Sequence, residues 1–171
     1  MNNKKLSIIL PVFNEKESLL IMVRLLNSSL KTDTEIIIVH DSLNDNSLES
    51  ANILINEYEN VQLVHNKIGP GVKNAIQAGV DKSKNEIILI TAVDEIFPII
   101  SIEKMLEEIL SKNYDFISGT RYSKGGERLG GSIIGSILSR TANKVFNLFS
   151  KVPLTDCITG IKIKKKKSLG G

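Results

Sequence analysis

The sequence predicts an α/β domain in which helices cover both faces of a mostly parallel β-sheet. Short runs of Ile, Leu and Val alternate along the chain with segments that carry apolar residues at helical spacing, which is the pattern of repeated β-α units. Several apolar runs end directly in polar clusters, as strands do where an open parallel sheet binds ligands. Because 42% of the 171 residues are hydrophobic and Trp is absent, the core must consist of Ile, Leu and Val.

The predicted elements alternate from the start of the chain. Short apolar runs of the kind buried in parallel sheets lie at residues 6–10, 35–39, 61–64, 86–91 and 114–118. Helical periodicity follows Asn14, spans 47–58, lies within 69–82, follows Ser101 and spans 133–149. Asn14 and Ser101 are the predicted N-caps, with Glu17 completing a capping box. Right-handed crossovers then bring the carboxyl ends of the strands to one edge of the sheet.

Composition and charge exclude several classes of protein. The net charge of +3 is too small to indicate nucleic-acid binding, and no basic groove motif is visible. A single cysteine, Cys157, rules out an internal disulfide and fits a reducing compartment. No signal segment or membrane-spanning window is recognisable. We therefore expect one cytoplasmic domain over residues 1–171, and we interpret 162–167, with five lysines in six positions, as a solvated tail.

The most informative stretch is 86–98, where a buried apolar run ends in Asp94 and Glu95. Carboxylates at the carboxyl end of a parallel strand lie where open sheets bind ligands. The alternative is that both residues simply end the strand and face water. Taken alone the alternative would be preferred, but three other segments indicate the same kind of site.

Residues 7–15 and 35–47 also join an apolar strand to a polar turn. The first leaves backbone N–H groups and Glu15 near the ligand edge, although such a turn is structurally common. In the second, Asp41 is placed to accept hydrogen bonds from a nucleobase or ribose, whereas Asp45 is interpreted as structural, with either Asp45 or Asn46 as the cap of the next helix. His40 is more readily a packed or an exposed side chain without a function than a metal ligand, because His65 has no ligand spacing to it.

The third segment, 69–79, contains Gly69, Gly71 and Gly79. It lacks both the Gly-Lys-Ser/Thr ending of a P-loop and the glycine pattern of a dinucleotide fingerprint. We therefore expect its glycines to permit a tight turn into a helix whose N-terminus faces the site.

Six segments follow one another over nearly the whole chain, and they read SIILPVFNE, EIIIVHDSLNDNS, GPGVKNAIQAG, DFISGTRYSKGG, LSRTANKVFN and DCITGIK. Together and in this order they resemble the family 2 glycosyltransferases, which have the GT-A fold. The resemblance is strongest to the branch that contains dolichol-phosphate mannose synthase and bacterial polyprenyl-phosphate glycosyltransferases. It implies inverting transfer of a sugar from a GDP- or UDP-linked donor to a lipid-phosphate or glycan acceptor, with peripheral association at the inner face of a membrane as one setting.

The resemblance also implies roles for individual residues. Substrate-binding residues would be Pro11, Phe13, Glu15, Asp41, Gly71 and Ala92, the first four lining the nucleoside pocket. The Asp-x-Asp motif of the family falls on 92–94, so that Asp94 would hold Mg²⁺ or Mn²⁺ on the diphosphate. Arg121 and Arg140 match phosphate-binding positions, and Asp156 matches an acidic position near the acceptor. Without the resemblance, surface salt bridging would be the preferred role for both arginines.

The chemistry explains these residue types. A leaving diphosphate gains negative charge in the transition state, so a cation and arginines placed there stabilise it selectively. A lipid-phosphate acceptor is already an anion and needs mainly orientation, whereas a hydroxyl acceptor needs a base such as Asp156.

Three departures from the family pattern motivate an alternative. Ala92 replaces the first carboxylate of the metal motif, His40 replaces an acidic residue, and the usual Ser-Gly-Phe becomes residues 159–161, Thr-Gly-Ile. We also expect the chain to be truncated relative to the family. The alternative is therefore a degenerate or truncated relative that binds nucleotide-sugar or a partner without turnover. A nicotinamide-dependent Rossmann enzyme is disfavoured because the glycine fingerprint is missing.

Overall fold

The computed structural model describes residues 5–96, 99–119 and 161–169. Its strands are β1 (Lys5–Val12), β2 (Asp33–His40), β3 (Val61–His65), β4 (Ile87–Ile90), β5 (Phe116–Ser118) and β6 (Lys162–Lys165). Its α-helices are α1 (Lys16–Ser29), α2 (Ser47–Glu57), α3 (Val72–Lys82) and α4 (Ile99–Ser111), and a 3₁₀ turn occupies Lys166–Leu169. The predicted helix at 133–149 lies outside the described residues.

The six strands form one mixed sheet in the order β3-β2-β1-β4-β6-β5. Strands β1 to β4 are mutually parallel, whereas β6 runs antiparallel to both β4 and β5. The α/β class and the mostly parallel sheet are therefore confirmed. Because β1, β2 and β4 share a direction and are neighbours, their carboxyl ends meet at one edge of the sheet.

The central strands have helices against both of their faces. Ile8 and Leu10 of β1 belong to a core shared with α1, α2 and α4, whereas Ile9 faces α3 on the opposite side. All three side chains are 0% exposed, as the period-2 alternation of a strand buried on both faces requires. Gly79 lets α3 approach the sheet closely, since a Cβ there would lie 2.6 Å from Cγ2 of Ile9.

The interpretation of residues 162–167 as a solvated tail is wrong. Residues Lys162–Lys165 form β6, an interior strand that pairs with β4 and β5. Ile161 and Ile163, at 2% and 0% exposed, enter the core, while Lys162 and Lys164 lie on the other face in register with Ile90 and Ile88. The long aliphatic stem of lysine tolerates such half-buried positions, so the charge run concealed an alternating strand pattern.

Both predicted helix caps are also wrong. The N-cap of α1 is Glu15, which makes no side-chain capping bond. Asn14 lies one residue before the N-cap, in a left-handed conformation with φ of 59°. Helix α4 begins at Ile99, two residues before Ser101. Ser101 therefore lies inside the helix and is not its N-cap.

Candidate functional site

A cavity of about 630 Å³ opens at the carboxyl edge of the sheet. The ends of β1, β2 and β4 and the N-terminus of α3 surround it. It is lined by Pro11, Val12, Phe13, Glu15, Asp41, Ser42, Pro70, Gly71, Val72, Ala75, Ala92, Val93 and Asp94. This is the position at which open α/β sheets bind ligands.

The cavity collects every predicted site residue that the structure describes. The six predicted substrate-binding residues and the predicted metal ligand Asp94 all line it, although they come from four separate segments of the chain. Arg121, Arg140 and Asp156 lie outside the described residues. The roles of the seven residues that line the cavity stay predictions, but the fold brings these seven residues together.

The β1–α1 turn is held in place by Asp45. One carboxylate oxygen of Asp45 accepts hydrogen bonds from the backbone N–H of Asn14 at 3.0 Å and of Ser47 at 2.8 Å. The hydroxyl of Ser47 in turn accepts from the N–H of Glu15 at 2.8 Å. These bonds fix the turn that presents Phe13, whose side chain is 70% exposed at the cavity. Asp45 is thus structural, as the sequence predicted.

The ionised form of Asp45 is favoured by this geometry. Burial alone would raise the pKa of Asp45, but the hydrogen bonds from Ser47 and Asn14 together outweigh burial and hold the pKa below its usual value. The other carboxylate oxygen of Asp45 is buried without a hydrogen-bond partner among the described residues.

The carboxylate of Asp41 is held by the loop between β3 and α3. Its Oδ2 accepts from the backbone N–H of Gly71 at 2.7 Å, and its Oδ1 accepts from the side-chain amide of Asn66 at 2.7 Å. The negative charge therefore lies at the N-terminus of α3, where the helix dipole stabilises an anion. Each carboxylate oxygen keeps a second lone pair, so Asp41 can still accept a hydrogen bond from a ligand.

The glycines of this loop have the role expected of them. Gly69 and Gly71 have φ of 146° and 106°, conformations that L-residues rarely adopt. Gly71 is the N-cap of α3, and the first N–H groups of a helix have no partner within the helix. The helix N-terminus therefore adds donors and a positive field to a cavity whose described acidic residues are Glu15, Asp41 and Asp94.

Asp94 lies in a turn directly after β4. The backbone N–H of Glu95 bonds to the carbonyl of Ala92 at 3.4 Å, and the side chain of Asp94 is exposed at the cavity. Within the described residues, no group of three or more His, Cys, Asp or Glu could hold a metal ion unaided. One accessible carboxylate nevertheless fits Mg²⁺ or Mn²⁺ carried by a diphosphate, because Mg²⁺ commonly uses one or two carboxylates together with substrate oxygens.

His40 is a packed residue. It is 3% exposed, its Nδ1 lies 2.8 Å from the carbonyl oxygen of Ser42, and its ring stacks on His65 at 4.8 Å between centroids. The ring of His40 therefore packs at the end of β2, next to Asp41 and Ser42, which line the cavity.

Sequence reasoning missed Asn66 and most of the apolar lining. Asn66 follows β3 and is 5% exposed, yet nothing in its local sequence indicates that it reaches Asp41. Val12, Val72 and Val93 each neighbour a predicted site residue in the chain and could have been found from that adjacency.

Comparison with known families decides what kind of protein carries this cavity. The model of the family described as glycosyl transferase family 2 matches residues 7–169. The chain belongs to glycosyltransferase family 2. The sequence resemblance is thereby confirmed.

Two relatives illustrate the similarity of this glycosyltransferase family 2 chain. It is 29% identical over 150 residues, 85% of its length, to an undecaprenyl-phosphate 4-deoxy-4-formamido-L-arabinose transferase of Yersinia enterocolitica. It is 28% identical over 124 residues, 72% of its length, to a dolichol-phosphate mannosyltransferase of Pyrococcus furiosus. The matches extend over 42% and 35% of those proteins, so the chain spans about two fifths of the length of its relatives.

Solved structures share the fold. Glucosyl-3-phosphoglycerate synthase from Mycobacterium tuberculosis, in complex with Mn²⁺, uridine diphosphate and phosphoglyceric acid, superposes with a TM-score of 0.75 at 12% identity, covering 97% of this chain and 57% of that one. A mannosyltransferase from Pyrobaculum calidifontis, in complex with GDP-mannose and Mn²⁺, gives a TM-score of 0.68 at 14% identity, covering 97% and 46%. The expected GT-A fold is confirmed.

Proposed function

We propose that this glycosyltransferase family 2 chain binds a nucleotide-diphosphate sugar in the cavity and transfers the sugar with inversion to a polyprenyl phosphate. The observation that carries the proposal is the convergence of Glu15, Asp41 and Asp94 with the N-terminus of α3 around one cavity. Family membership over residues 7–169 supports the same reaction class.

The cavity offers separate environments for the parts of a nucleotide. Asp41 accepts hydrogen bonds, which suits N–H groups of a base or hydroxyls of a ribose. Phe13 and Val72, which are 70% and 66% exposed, provide apolar surface against which a base or a ribose can pack. Asp94, which follows β4, is proposed to lie beside the diphosphate.

A divalent cation accounts for the acidity of this lining. A diphosphate is itself an anion, so it would be repelled by the carboxylates unless positive charge accompanied it. Mg²⁺ or Mn²⁺ held by Asp94 and the diphosphate would supply that charge and stabilise the leaving group. Arg121 and Arg140 are the proposed additional cations on the phosphates.

A lipid phosphate is the proposed acceptor. The two curated relatives have names that refer to undecaprenyl phosphate and dolichol phosphate. Such an acceptor is already ionised at neutral pH, so this chain need only bring it close to the sugar in the correct orientation. Asp156 is the proposed acidic residue near the acceptor. The helices in the described ranges do not reach the length and hydropathy that a bilayer crossing requires. The proposed setting, attachment at the inner face of a membrane, comes from the lipid-phosphate acceptor.

Calorimetry followed by a transfer assay tests the proposal. The full chain is titrated with GDP- and UDP-sugars, with and without Mn²⁺, and then incubated with donor and a polyprenyl phosphate. We expect saturable, Mn²⁺-dependent binding and a glycolipid product. Binding without any product would favour the alternative of a relative that does not turn over. The absence of binding to either donor would refute the proposal.

A further inference from the structure

The buried side chain of Asn66 connects the end of β2 with the loop that leads into α3. Its amide nitrogen donates to Oδ1 of Asp41 at 2.7 Å and to the carbonyl of Gly69 at 2.6 Å. Its amide oxygen accepts from the backbone N–H of Ile68 at 2.9 Å. The backbone N–H of Asn66 bonds to the carbonyl of His40 at 2.9 Å. Both donors and the acceptor of the amide are therefore used.

This arrangement leaves Asp41 little freedom to rotate. One carboxylate oxygen is held by Asn66 and the other by the N–H of Gly71, each at 2.7 Å. Two charge-assisted bonds from one loop fix both the position and the plane of the carboxylate. Since Asn66 is 5% exposed and does not line the cavity, it can influence a ligand only through the groups that it holds.

We propose that Asn66 is a positioning residue that sets the orientation of the Asp41 carboxylate, and thereby the affinity for the nucleoside part of the donor. This inference depends on the proposed function, because it needs a nucleotide in the cavity. A binding group must be held to within a fraction of an ångström by its supporting residues, and the β3–α3 loop has no other side chain bonded to Asp41 among the described residues.

The rival explanation is that Asn66 only stabilises its loop. Two of the three hydrogen bonds of its side chain go to backbone groups, so removal of the side chain will lower stability under either explanation. The two explanations predict different nucleotide affinities for the variant when it is measured well below its melting temperature. A loop anchor would leave the affinity of the folded protein almost unchanged, whereas loss of a positioning residue weakens it.

The test measures the dissociation constants of GDP and UDP with Mn²⁺ by calorimetry for the full chain and its variants. Asn66→Ala removes the amide. Asn66→Asp keeps the shape of the side chain but places a carboxylate where Asp41 needs a hydrogen-bond donor. This second variant tests the proposal if the alanine variant does not fold. The matched control is Asn60→Ala, because the Asn60 amide also bridges two groups, Oδ1 of Asn27 at 2.9 Å and the carbonyl of Thr34 at 3.1 Å, at the opposite edge of the sheet.

We expect both Asn66 variants to bind about 10–100-fold more weakly than the unmodified chain, the range typical of residues that orient a binding group. Asn60→Ala should bind within about twofold of it. In an Asp41→Asn background, the effect of Asn66→Ala should shrink at least about threefold, because the two residues are coupled.

Failure of the positioning role can be distinguished from failure of the proposed function. Unchanged affinity in both Asn66 variants, or full additivity with Asp41→Asn, would overturn the positioning role while the proposed function stands. If the unmodified chain bound neither nucleotide, the proposed function would be overturned, and the inference about Asn66 with it.

Discussion

Replacing Asp45 with alanine removes one of the hydrogen-bonded links between the β1–α1 and β2–α2 turns, the bond from the N–H of Asn14. Ser47 is fully buried, so its N–H would lose its partner without access to water, which costs about 1–3 kcal/mol. Asn14 is exposed, so its N–H can be hydrated and adds only about 0.5–1 kcal/mol. We therefore expect Asp45→Ala to lower the free energy of unfolding by about 2–3 kcal/mol.

The same residue gives a pH dependence of known sign. The pKa of Asp45 is held below its usual value in the folded protein. Its stabilising contribution is therefore present above the unfolded pKa, near pH 4, and is lost as the pH falls through the lower folded pKa. Asp45→Asn keeps an oxygen acceptor but does not ionise, so it should be less destabilising than Asp45→Ala and should lack this acid dependence.

Urea unfolding at pH 7 and at several values between pH 5 and 2 measures both effects. A loss of 2–3 kcal/mol corresponds to a fall of roughly 5–10 °C in melting temperature for a chain of this size. If Asp45→Ala were within about 0.5 kcal/mol of the unmodified chain at pH 7, the hydrogen bonds to Asn14 and Ser47 would not stabilise the turn, contrary to the reasoning.

Three further substitutions are predicted from local geometry, each measured by urea unfolding at pH 7. Gly79→Ala should destabilise the protein by about 1–3 kcal/mol, because the new Cβ would lie 2.6 Å from Cγ2 of Ile9 and overpacking outweighs the gain in helix propensity. A net stabilisation would contradict the close packing of α3 on the sheet. Gly71→Ala meets no atom within 4 Å, so it should cost only the backbone strain at φ of 106° and ψ of 152°, about 1–3 kcal/mol, and a larger loss would contradict this reasoning. Lys164→Met should stabilise only slightly, by at most about 0.5 kcal/mol, because burial and the neighbouring Lys162 lower the pKa of Lys164 but solvent screens much of this effect at a partly buried position. That gain should disappear as the pH rises past 10.5 and lysine loses its charge, and its persistence there would exclude a charge effect.

Local patterns were enough to predict the fold class and the position of the site. Each apolar run of β1, β2 and β4 ends in polar residues, and parallel strands that share a direction must bring those ends together. That rule predicted a common edge of the sheet for Asp41 and Asp94, which are more than fifty positions apart in the chain and line one cavity. The roles expected of the two carboxylates came from the resemblance to the family.

Features that depend on tertiary contacts could not be predicted in the same way. Asn14 looked like a helix cap, but the carboxylate of Asp45 captures its N–H and Asn14 takes a left-handed conformation. The lysines of β6 looked solvated because their charge is obvious, whereas the burial of Ile163 depends on β4 and β5 lying on either side. Asn66 carries no sequence signal because its partner, Asp41, follows a different strand and is 25 positions away in the chain.

A structure of the full chain with Mn²⁺ and GDP or UDP tests the central claim most directly. We predict that the nucleotide occupies the cavity, with the nucleoside within about 3.2 Å of an Asp41 carboxylate oxygen and the diphosphate beside Asp94. A saturating nucleotide bound at any other surface, with the cavity between β1, β2 and β4 left to solvent, would contradict the account.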